Sequence, residues 1–584
     1  MGLPRAIQAH KEGQLKQAAV HYQRAIDQKQ WKPDLFQNYG ALLRGNGELA
    51  KSKAIYLQGL AIYPKHLGIL RNYANLLRES GHSSEALRIS LEVLQIAWIN
   101  CDEVLEKLYC ECVDLLCQLG YLHWALALIR QAFAELGVRS SLLWGLFKIS
   151  SHESVAILGL ESSTLILELT EQVLKDCSPV ERAEFLFSRA FFHANRDELS
   201  EAVRAIREAH RILETASLSD TQQQKNAQKL MNINSWNVSC VLLKVPDFEL
   251  GWNLFEYGLQ APAVGPQRWQ RHLKKLFTHR ELPLWRGESL KSQRLLLLEE
   301  QAIGDSMMFL TLLPTLVAEA AHVGVVLCTR LLPIYRRSFY QWIEAGKVSI
   351  WSHGDLAADK LTPEAFDFQS PVGSVCRYRF TEIEQFAPSF PILVADSPRV
   401  LAYRNSVDVS TEHTLRVGIS WRGGGRSDRI KLKSIDAEMF ADLMCGYPSG
   451  VSFVDLQYGD VSSVIKRWQS KGLPVIHENN VNPLKNMEEW LNLVASCDAV
   501  VSVANTTIHG AGGLNIPTMC LLSLRSDWRW LNDSEVKRSY WYPSVGIARE
   551  SKRHGWKPAL KNVRQWIIEG CPMPTGRVKP DLRK

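Results

Sequence analysis

No uninterrupted apolar run in this 584-residue chain approaches the roughly 18 residues that a membrane-crossing helix needs. No membrane span is expected. The N-terminus, MGLPRAIQAHKEG, lacks the apolar core of a secretion signal, and Ala6 stands where a myristoylation motif requires Ser or Thr. A cytoplasmic protein is the default expectation. Cysteine occurs 12 times but never as a CxxC pair, and the tightest cluster, Cys110, Cys112 and Cys117, falls in a helical pattern with no His at metal-ligand spacing. Buried reduced thiols are favoured over a metal site. Charge of one sign is scarce too: the net +7 is partly gathered in RESKRHGWKPALKNVRQW and GRVKPDLRK, without a continuous basic stripe or interleaved exposed aromatics. That excludes a nucleic-acid signature, and a phosphate-bearing small ligand accounts for the excess equally well.

What is present is length and internal order. The chain is too long for one hydrophobic core, and about three or four units are expected. Its 46% hydrophobic and 22% charged composition is that of an ordinary soluble globular protein. Gly13, Gly47 and Gly81 recur at a constant spacing of 34 residues, the tetratricopeptide period. Around them stand Phe36, Tyr39, Gly40 and Leu43, then Tyr56, Gly59 and Pro64, and again Leu70, Tyr73, Ala74, Leu77 and Ala86. The first repeat supplies Ala6, Ala18, Tyr22 and Ala25. Small residues let paired helices cross closely, aromatics fill the gaps, and the glycine closes the turn. Weaker units continue through Gly120 with Ala125, then Ala190, Ala202 and Ala209, to WNVSCVLLKVPDFELGWNLFEYGL. Residues 1–260 are thus expected to form an all-α tetratricopeptide solenoid whose concave face takes a macromolecular partner, followed by a linker over 261–290.

Beyond that the period changes. Apolar strands are expected at 294–298, 323–328, 415–421, 451–457, 473–478, 498–504 and 518–524, alternating with helices, while 351–412 is proline-rich and irregular. This βαβ alternation implies two Rossmann-like lobes with parallel sheets, at 291–405 and 406–570, then a basic tail, 571–584. Ligands of such folds bind beyond the carboxyl ends of the strands. There the chain places Glu300-Gln301-Ala302-Ile303-Gly304-Asp305, then Arg422-Gly423-Gly424-Gly425-Arg426, and Gln457-Tyr458-Gly459-Asp460. The strand ending at Ala504 runs into Asn505-Thr506-Thr507, with His509, Gly510, Gly512 and Gly513 behind. Small polar residues cap a helix and leave its first N–H groups for an anion, while the glycines admit either a diphosphate or the opposing lobe. A well-capped buried helix with packing glycines is the plainer alternative.

Together EEQAIGDSMMF, GISWRGG, DLQYGD, NTTIHGAGGLNIP and DWRW…SYWYPS resemble bacterial tetratricopeptide-repeat proteins whose C-terminal half is similar to the ADP-heptose:lipopolysaccharide heptosyltransferases. DFELGWNLFEYGL and LPLWRGESL also resemble that group. The resemblance implies a GT-B module, a nucleotide-sugar donor held by the C-terminal lobe, inverting chemistry, and no cofactor or metal. It matches Gly304-Asp305 to the Gly-Asp whose Asp is the proposed general base, with Gln301 and Gly304 in support. The residues it implies at the donor are Arg422, Gly423, Lys431, Lys433, Gln457, Tyr458, Asn505, Thr506, Thr507, His509, Gly510, Asp527 and Arg529. Heptosyltransferases have Asp-Thr where this chain has Ala504-Asn505, though His509 is retained. That puts a heptose donor in doubt and leaves the fold expectation intact.

Each residue has a plainer role. Asp305 suits a helix cap, His509 suits packing, and Trp528, Trp530, Tyr540 and Trp541 suit lobe packing better than sugar platforms. Arg422, Arg426, Arg429, Lys431 and Lys433 suit either a diphosphate or a solvated loop. RGGGR fails the dinucleotide fingerprint because its third glycine position is Asp428, which disfavours an oxidoreductase. The expectation is a glycosyltransferase acting on a protein or glycan acceptor positioned by the repeats. The alternative is a scaffold whose transferase-like half binds without turnover.

Overall fold

The computed structural model describes residues 2–12, 14–100, 103–137, 139–150, 178–195, 198–216, 221–260, 282–357, 360–386, 390–405, 415–424, 430, 433–447, 450–524, 526–551 and 553–579. The chain divides into two compact units, Met1–Ala227 and Gln228–Lys584.

The first unit is a helical repeat array. Helix pairs Pro33–Gly45 with Leu49–Ile62, Leu67–Glu79 with Ser83–Ile99, and Leu105–Gln118 with Leu122–Leu136 follow one another, Pro179–Asn195 pairs with Leu199–Thr215 after them, and helix Thr221–Leu242 begins in this unit and ends in the next. Gly47, Gly81 and Gly120 adopt φ near +80°. A Cβ on any of them would meet nothing within 4 Å, so backbone conformation alone requires glycine there. Gly13, the first of the periodic set, lies outside the described residues. The crossing glycines have the opposite reason: a Cβ on Gly40 would strike the Tyr56 ring at 2.2 Å, and one on Gly59 would strike Phe36 at 2.6 Å. Tyr22, Phe36, Tyr56, Tyr73 and the small residues Ala18, Ala25, Ala86, Ala125, Ala190, Ala202 and Ala209 are all buried, as the repeat pattern expects. Cys112 and Cys117 are buried within Leu105–Gln118, and burial pushes the Cys112 thiol up to about 12.

The second unit holds two parallel sheets. In the N-terminal lobe β1 (Arg294–Leu298), β2 (His322–Leu327), β3 (Val348–Ser352) and β4 (Phe368–Pro371) are ordered β3-β2-β1-β4. In the C-terminal lobe β5 (Leu415–Ser420), β6 (Val451–Asp455), β7 (Val475–Ile476), β8 (Ala499–Val503), β9 (Thr518–Leu522) and β10 (Val545–Arg549) are ordered β10-β9-β8-β5-β6-β7. The order reverses between β5 and β8, so the switch-point crevice opens beyond Ser420 and Val503. The stretch expected to be irregular contains the end of β3 and all of β4.

Three boundaries differ from the sequence expectation. The repeat array does not extend to 260: helix Phe248–Phe255 contributes Phe248, Trp252 and Phe255 to the core of the α/β unit. Trp252 packs edge-on against Trp528 at 5.8 Å, and Phe248 lies 5.3 Å from Phe386 and 5.6 Å from Tyr540. An amphipathic helix reads the same whether it packs on a helix or on a sheet lobe. Of the expected linker, 261–281 lies outside the described residues, but Leu284 bridges Gln369 beside β4 and Trp285 is buried. The basic tail is folded down as far as it is described: Cys571 is buried, the Lys537 N–H donates to the Arg577 carbonyl at 2.9 Å, and Lys579 pairs with Glu384 at 2.7 Å. Among the described residues no helix is long and apolar enough to cross a membrane.

Candidate functional site

The chain leaves β1 through Gln301, whose φ of +61° is the left-handed region that non-glycine residues rarely occupy, at a cost on the order of 1 kcal/mol. This kink delivers helix Ile303–Phe309, with Asp305 in its first turn. Asp305 Oδ2 accepts the Ala302 backbone N–H at 3.0 Å, which is the capping role. Its Oδ1 accepts from Arg529 Nε at 2.6 Å and also meets Arg529 Nη2. Both carboxylate oxygens are therefore engaged, one by the helix end and one by a guanidinium from the other lobe.

Arg529 is the centre of a ladder of alternating charge. Its Nη1 lies 3.2 Å from Asp527 Oδ2, and the same oxygen accepts from Lys433 Nζ at 3.0 Å. The order across the lobes is Lys433, Asp527, Arg529, Asp305. The guanidinium stacks 4.4 Å from the Trp528 ring centroid, and its Nη2 donates to Gln301 Oε1 at 3.4 Å. The Gln301 Nε2 is buried with no hydrogen-bond partner among the described residues. Burial works to raise the Asp527 carboxyl, but Lys433 and Arg529 overcome it and hold it well below the usual carboxylate range. For Arg529, burial is likewise outweighed by Asp305 and Asp527, which raise it above its ordinary value. The ladder borders a small cleft at the carboxyl ends of β8 and β9, lined by Lys433, Ala504, Leu522, Ser523, Ser526 and Asp527.

A second group ties the switch-point crevice shut. Asn505 caps helix Thr506–Gly513, its Oδ1 accepting from the Thr507 N–H at 2.8 Å and from Ser502 Oγ at 3.1 Å. Its Nδ2 donates to Ser420 Oγ at 2.7 Å and to the Arg422 carbonyl at 3.1 Å. Gln457 Oε1 accepts from Ser420 Oγ, the Trp421 N–H and the Arg422 N–H at 3.0, 3.1 and 2.8 Å. Arg422 Nη2 donates to the Tyr458 carbonyl at 3.1 Å, and the Tyr458 hydroxyl donates to the Gly423 carbonyl at 2.7 Å. Gly423 is required by Lys433, whose Cβ would lie 2.7 Å from an added Cβ.

The glycines of helix Thr506–Gly513 face protein. Cβ atoms on Gly510, Gly512 and Gly513 would strike Trp490 at 2.7 Å, Tyr542 at 2.6 Å and Leu393 at 2.6 Å. Gly304 is matched to the same helix, since its Cβ would lie 2.9 Å from His509 Cδ2. The two helix starts, one from each lobe, thus meet at Gly304 and His509. The imidazole is buried, its Nδ1 2.9 Å from the Tyr542 hydroxyl. Burial, opposed by the nearby Asp305 charge, brings it down to about 4. Trp528, Trp530, Tyr540 and Trp541 are all buried. They pack the lobes, as the plainer reading of the sequence expects.

No protein-family model matches the chain. Protein FlbA of Caulobacter vibrioides is 25% identical over 296 residues, covering 48% of this chain and 47% of that protein. The chain thus spans about half the length of the curated relative it matches. Among solved structures, a glycosyl transferase family 9 protein from Veillonella parvula aligns over 45% of this chain and 87% of its own, at 11% identity and a TM-score of 0.31. A tetratricopeptide repeat protein from Parabacteroides merdae aligns over 45% of this chain and 93% of its own, at 16% identity and a TM-score of 0.32.

The residues expected at the site therefore divide by position. Asp305, Gln301, Lys433, Asp527 and Arg529 come together around the ladder. Asn505, Gln457, Arg422, Tyr458 and Gly423 form the strap, and their polar atoms are directed at one another rather than at an open seat. Thr507 is buried with its N–H capped, Thr506 is half-buried at the helix start, and Gly510 is a packing glycine against Trp490. The expected free N–H groups of this helix are accounted for in part by Asn505 itself, whose carbonyl also accepts from the Ile508 N–H at 3.1 Å. Lys431, Arg426 and Arg429 lie outside the described residues. Sequence reasoning missed Ser420, which joins Asn505 to Gln457, and the cleft residues Ser523 and Ser526. Their only signal is position, at or just after the carboxyl ends of β5 and β9. Among the described residues no group of three or more His, Cys, Asp or Glu side chains is disposed to hold a metal ion.

Proposed function

We propose that the second unit is an inverting glycosyltransferase that uses a nucleotide-sugar donor and takes its charge neutralisation from side chains rather than a metal. The observation that carries this is the ladder Lys433, Asp527, Arg529, Asp305, which brings a carboxylate of one lobe and two cations of the other to the carboxyl edges of facing sheets. In a single displacement the acceptor hydroxyl attacks the anomeric carbon, its proton passes to Asp305, and the departing diphosphate is received by Arg529 and Lys433. The helical repeats of the first unit position a protein or glycan acceptor. The test is to incubate the full chain with a panel of nucleotide sugars in the presence of a metal chelator and to measure release of the nucleoside diphosphate. One donor should be hydrolysed, and a strict magnesium requirement would overturn the metal-free assignment.

A second reading is favoured by one observation: both oxygens of Asp305 are engaged. A module that binds a nucleotide sugar without turnover would keep that carboxylate occupied permanently. Thermal stabilisation by a donor, with no diphosphate released in the presence of any acceptor, would support that reading.

A further inference from the structure

Arg529 is held by partners of unequal kind. Its backbone N–H donates to Asp527 Oδ1 at 3.2 Å, its Nη1 faces the same carboxylate, and its ring partner Trp528 belongs to the same loop. These contacts travel with the residue. The bonds to Asp305 Oδ1 and the long one to Gln301 Oε1 come from the other lobe. They are the ones that a competing anion can replace. The cleft beside Lys433 begins at Asp527, the immediate neighbour of Arg529 in the ladder. The cleft as it stands is too small for a diphosphate, so the ligand's entry requires the ladder to open, and its oxygens would then offer the guanidinium a fork of acceptors richer than one carboxylate oxygen.

We propose that Arg529 is a donor-operated latch on Asp305: in the free protein it covers the carboxylate, and the diphosphate of an arriving nucleotide sugar draws it away. The inference rests on the glycosyltransferase reading above and adds an order of events to it. Three of the roughly four lone-pair sites of the Asp305 carboxylate are already taken by N–H groups, and the two that Arg529 holds are freed only when it leaves, so the donor binds before the base is fully exposed. Arg529 then serves the leaving group from the position it moved to, with Asp527 and Trp528 as its pivot. Gln301, held at its left-handed kink, loses only a 3.4 Å contact in the exchange.

If Asp305 and the diphosphate compete for one guanidinium, removing the charge of Asp305 strengthens diphosphate binding, because the competent position of Arg529 no longer has to be won from it. ADP, UDP and GDP are titrated calorimetrically into the full chain and into Asp305→Asn, which keeps an oxygen for the Ala302 N–H. For the diphosphate that the parent binds, Asp305→Asn should bind about tenfold more tightly, within the usual range of coupling between sites. The gain should vanish in an Arg529→Gln background, whereas a general repulsion between Asp305 and an anion would persist there. Affinity of Asp305→Asn within about threefold of a binding parent overturns the latch and leaves the glycosyltransferase reading standing. A gain that survives in Arg529→Gln also overturns it. Failure of every chain to bind any of the three diphosphates removes both. Should Asp305→Asn not fold, Asp305→Ser carries the test, since serine keeps a capping oxygen for the Ala302 N–H and removes the charge that holds Arg529; affinity within about threefold of a binding parent overturns the proposal in that variant too.

Discussion

Gly304→Ala tests whether the two lobes meet as tightly as the helix starts suggest. The added methyl would lie 2.9 Å from His509 Cδ2, 3.4 Å from its Nε2 and 3.6 Å from Thr506 Oγ1. Carbon atoms pack best at about 3.5–4.0 Å, so the ring must retreat by several tenths of an ångström or the helices must part. The ring is poorly placed to retreat, because it is buried and its Nδ1 is bonded to the Tyr542 hydroxyl at 2.9 Å. Overpacking of this kind costs about 1–3 kcal/mol. Alanine recovers up to about 1 kcal/mol of helix propensity, less in a first turn, which leaves a net loss on the order of 1–2 kcal/mol. Urea unfolding followed by tryptophan fluorescence reads it, since Trp528 and Trp541 are buried in the same core. Adding His509→Ala should restore part of the loss by vacating the ring's place, giving a favourable coupling between the two substitutions. A Gly304→Ala protein as stable as the parent, or losses that simply add, would refute the close contact. The same substitution should lower any transferase activity, because the helix that must part carries Asp305 as its next residue.

Two further outcomes follow from the core and from His509. Trp252→Ala should cost about 3–5 kcal/mol, the usual effect of emptying a large buried ring site, and should destabilise the α/β unit; accordingly a fragment beginning at 228 should unfold cooperatively while one beginning at 261 should not, as circular dichroism melts will distinguish. His509 is held at about 4 against an ordinary 6.5, so between those values the unfolded chain binds a proton that the folded chain does not, and stability rises with pH. That contribution is complete above pH 6.5 and is lost as the pH falls toward 4, a change on the order of 3 kcal/mol at about 1.4 kcal/mol per pH unit. His509→Gln should remove it, and parallel stability curves for parent and variant from pH 7 to 4 would refute the assignment.

How much of this was legible depends on how local each cause is. The inner strands β1, β2, β5, β6, β8 and β9 read directly as apolar runs because helices cover both faces of a parallel sheet. β4 did not, since Phe368-Gln369-Ser370-Pro371 carries polar residues into the sheet edge. Its Gln369 is buried only because its Nε2 donates to the Leu282 carbonyl at 2.7 Å, 87 positions away. β3 and β10 are edge strands, β3 alternates buried with half-buried positions, and β10 directly follows the aromatic SYWYPS stretch. Asn505 shows the same limit in the site. Its capping of Thr507 is local and was anticipated, whereas the destination of its Nδ2, at Ser420 and Arg422, is a product of the β5–β8 pairing. The glycines after it were read as room for a ligand or a lobe, and the side chains that take that room, Trp490, Tyr542 and Leu393, are named nowhere in the motif.

The two groups of expected donor residues differ in what would happen to them on binding. The strap of Asn505, Gln457, Ser420 and Arg422 is held by hydrogen bonds between fixed backbone positions at the ends of β5, β6 and β8, so moving any member leaves buried donors and acceptors unpaired, at about 1–3 kcal/mol each. It is suited to fixing the floor of a site and unsuited to rearranging around a substrate. The ladder has the opposite character. Its cations, Lys433 and Arg529, are long side chains whose partners in the ladder are charges, and a doubly charged ligand can substitute for either carboxylate without leaving a cation uncompensated. An anion therefore exchanges into the ladder more readily than into the strap. That physical asymmetry, rather than the density of polar residues, is why we propose Lys433 and Arg529 for the donor, although the asparagine, threonine and glycine motif attracts attention first in the sequence.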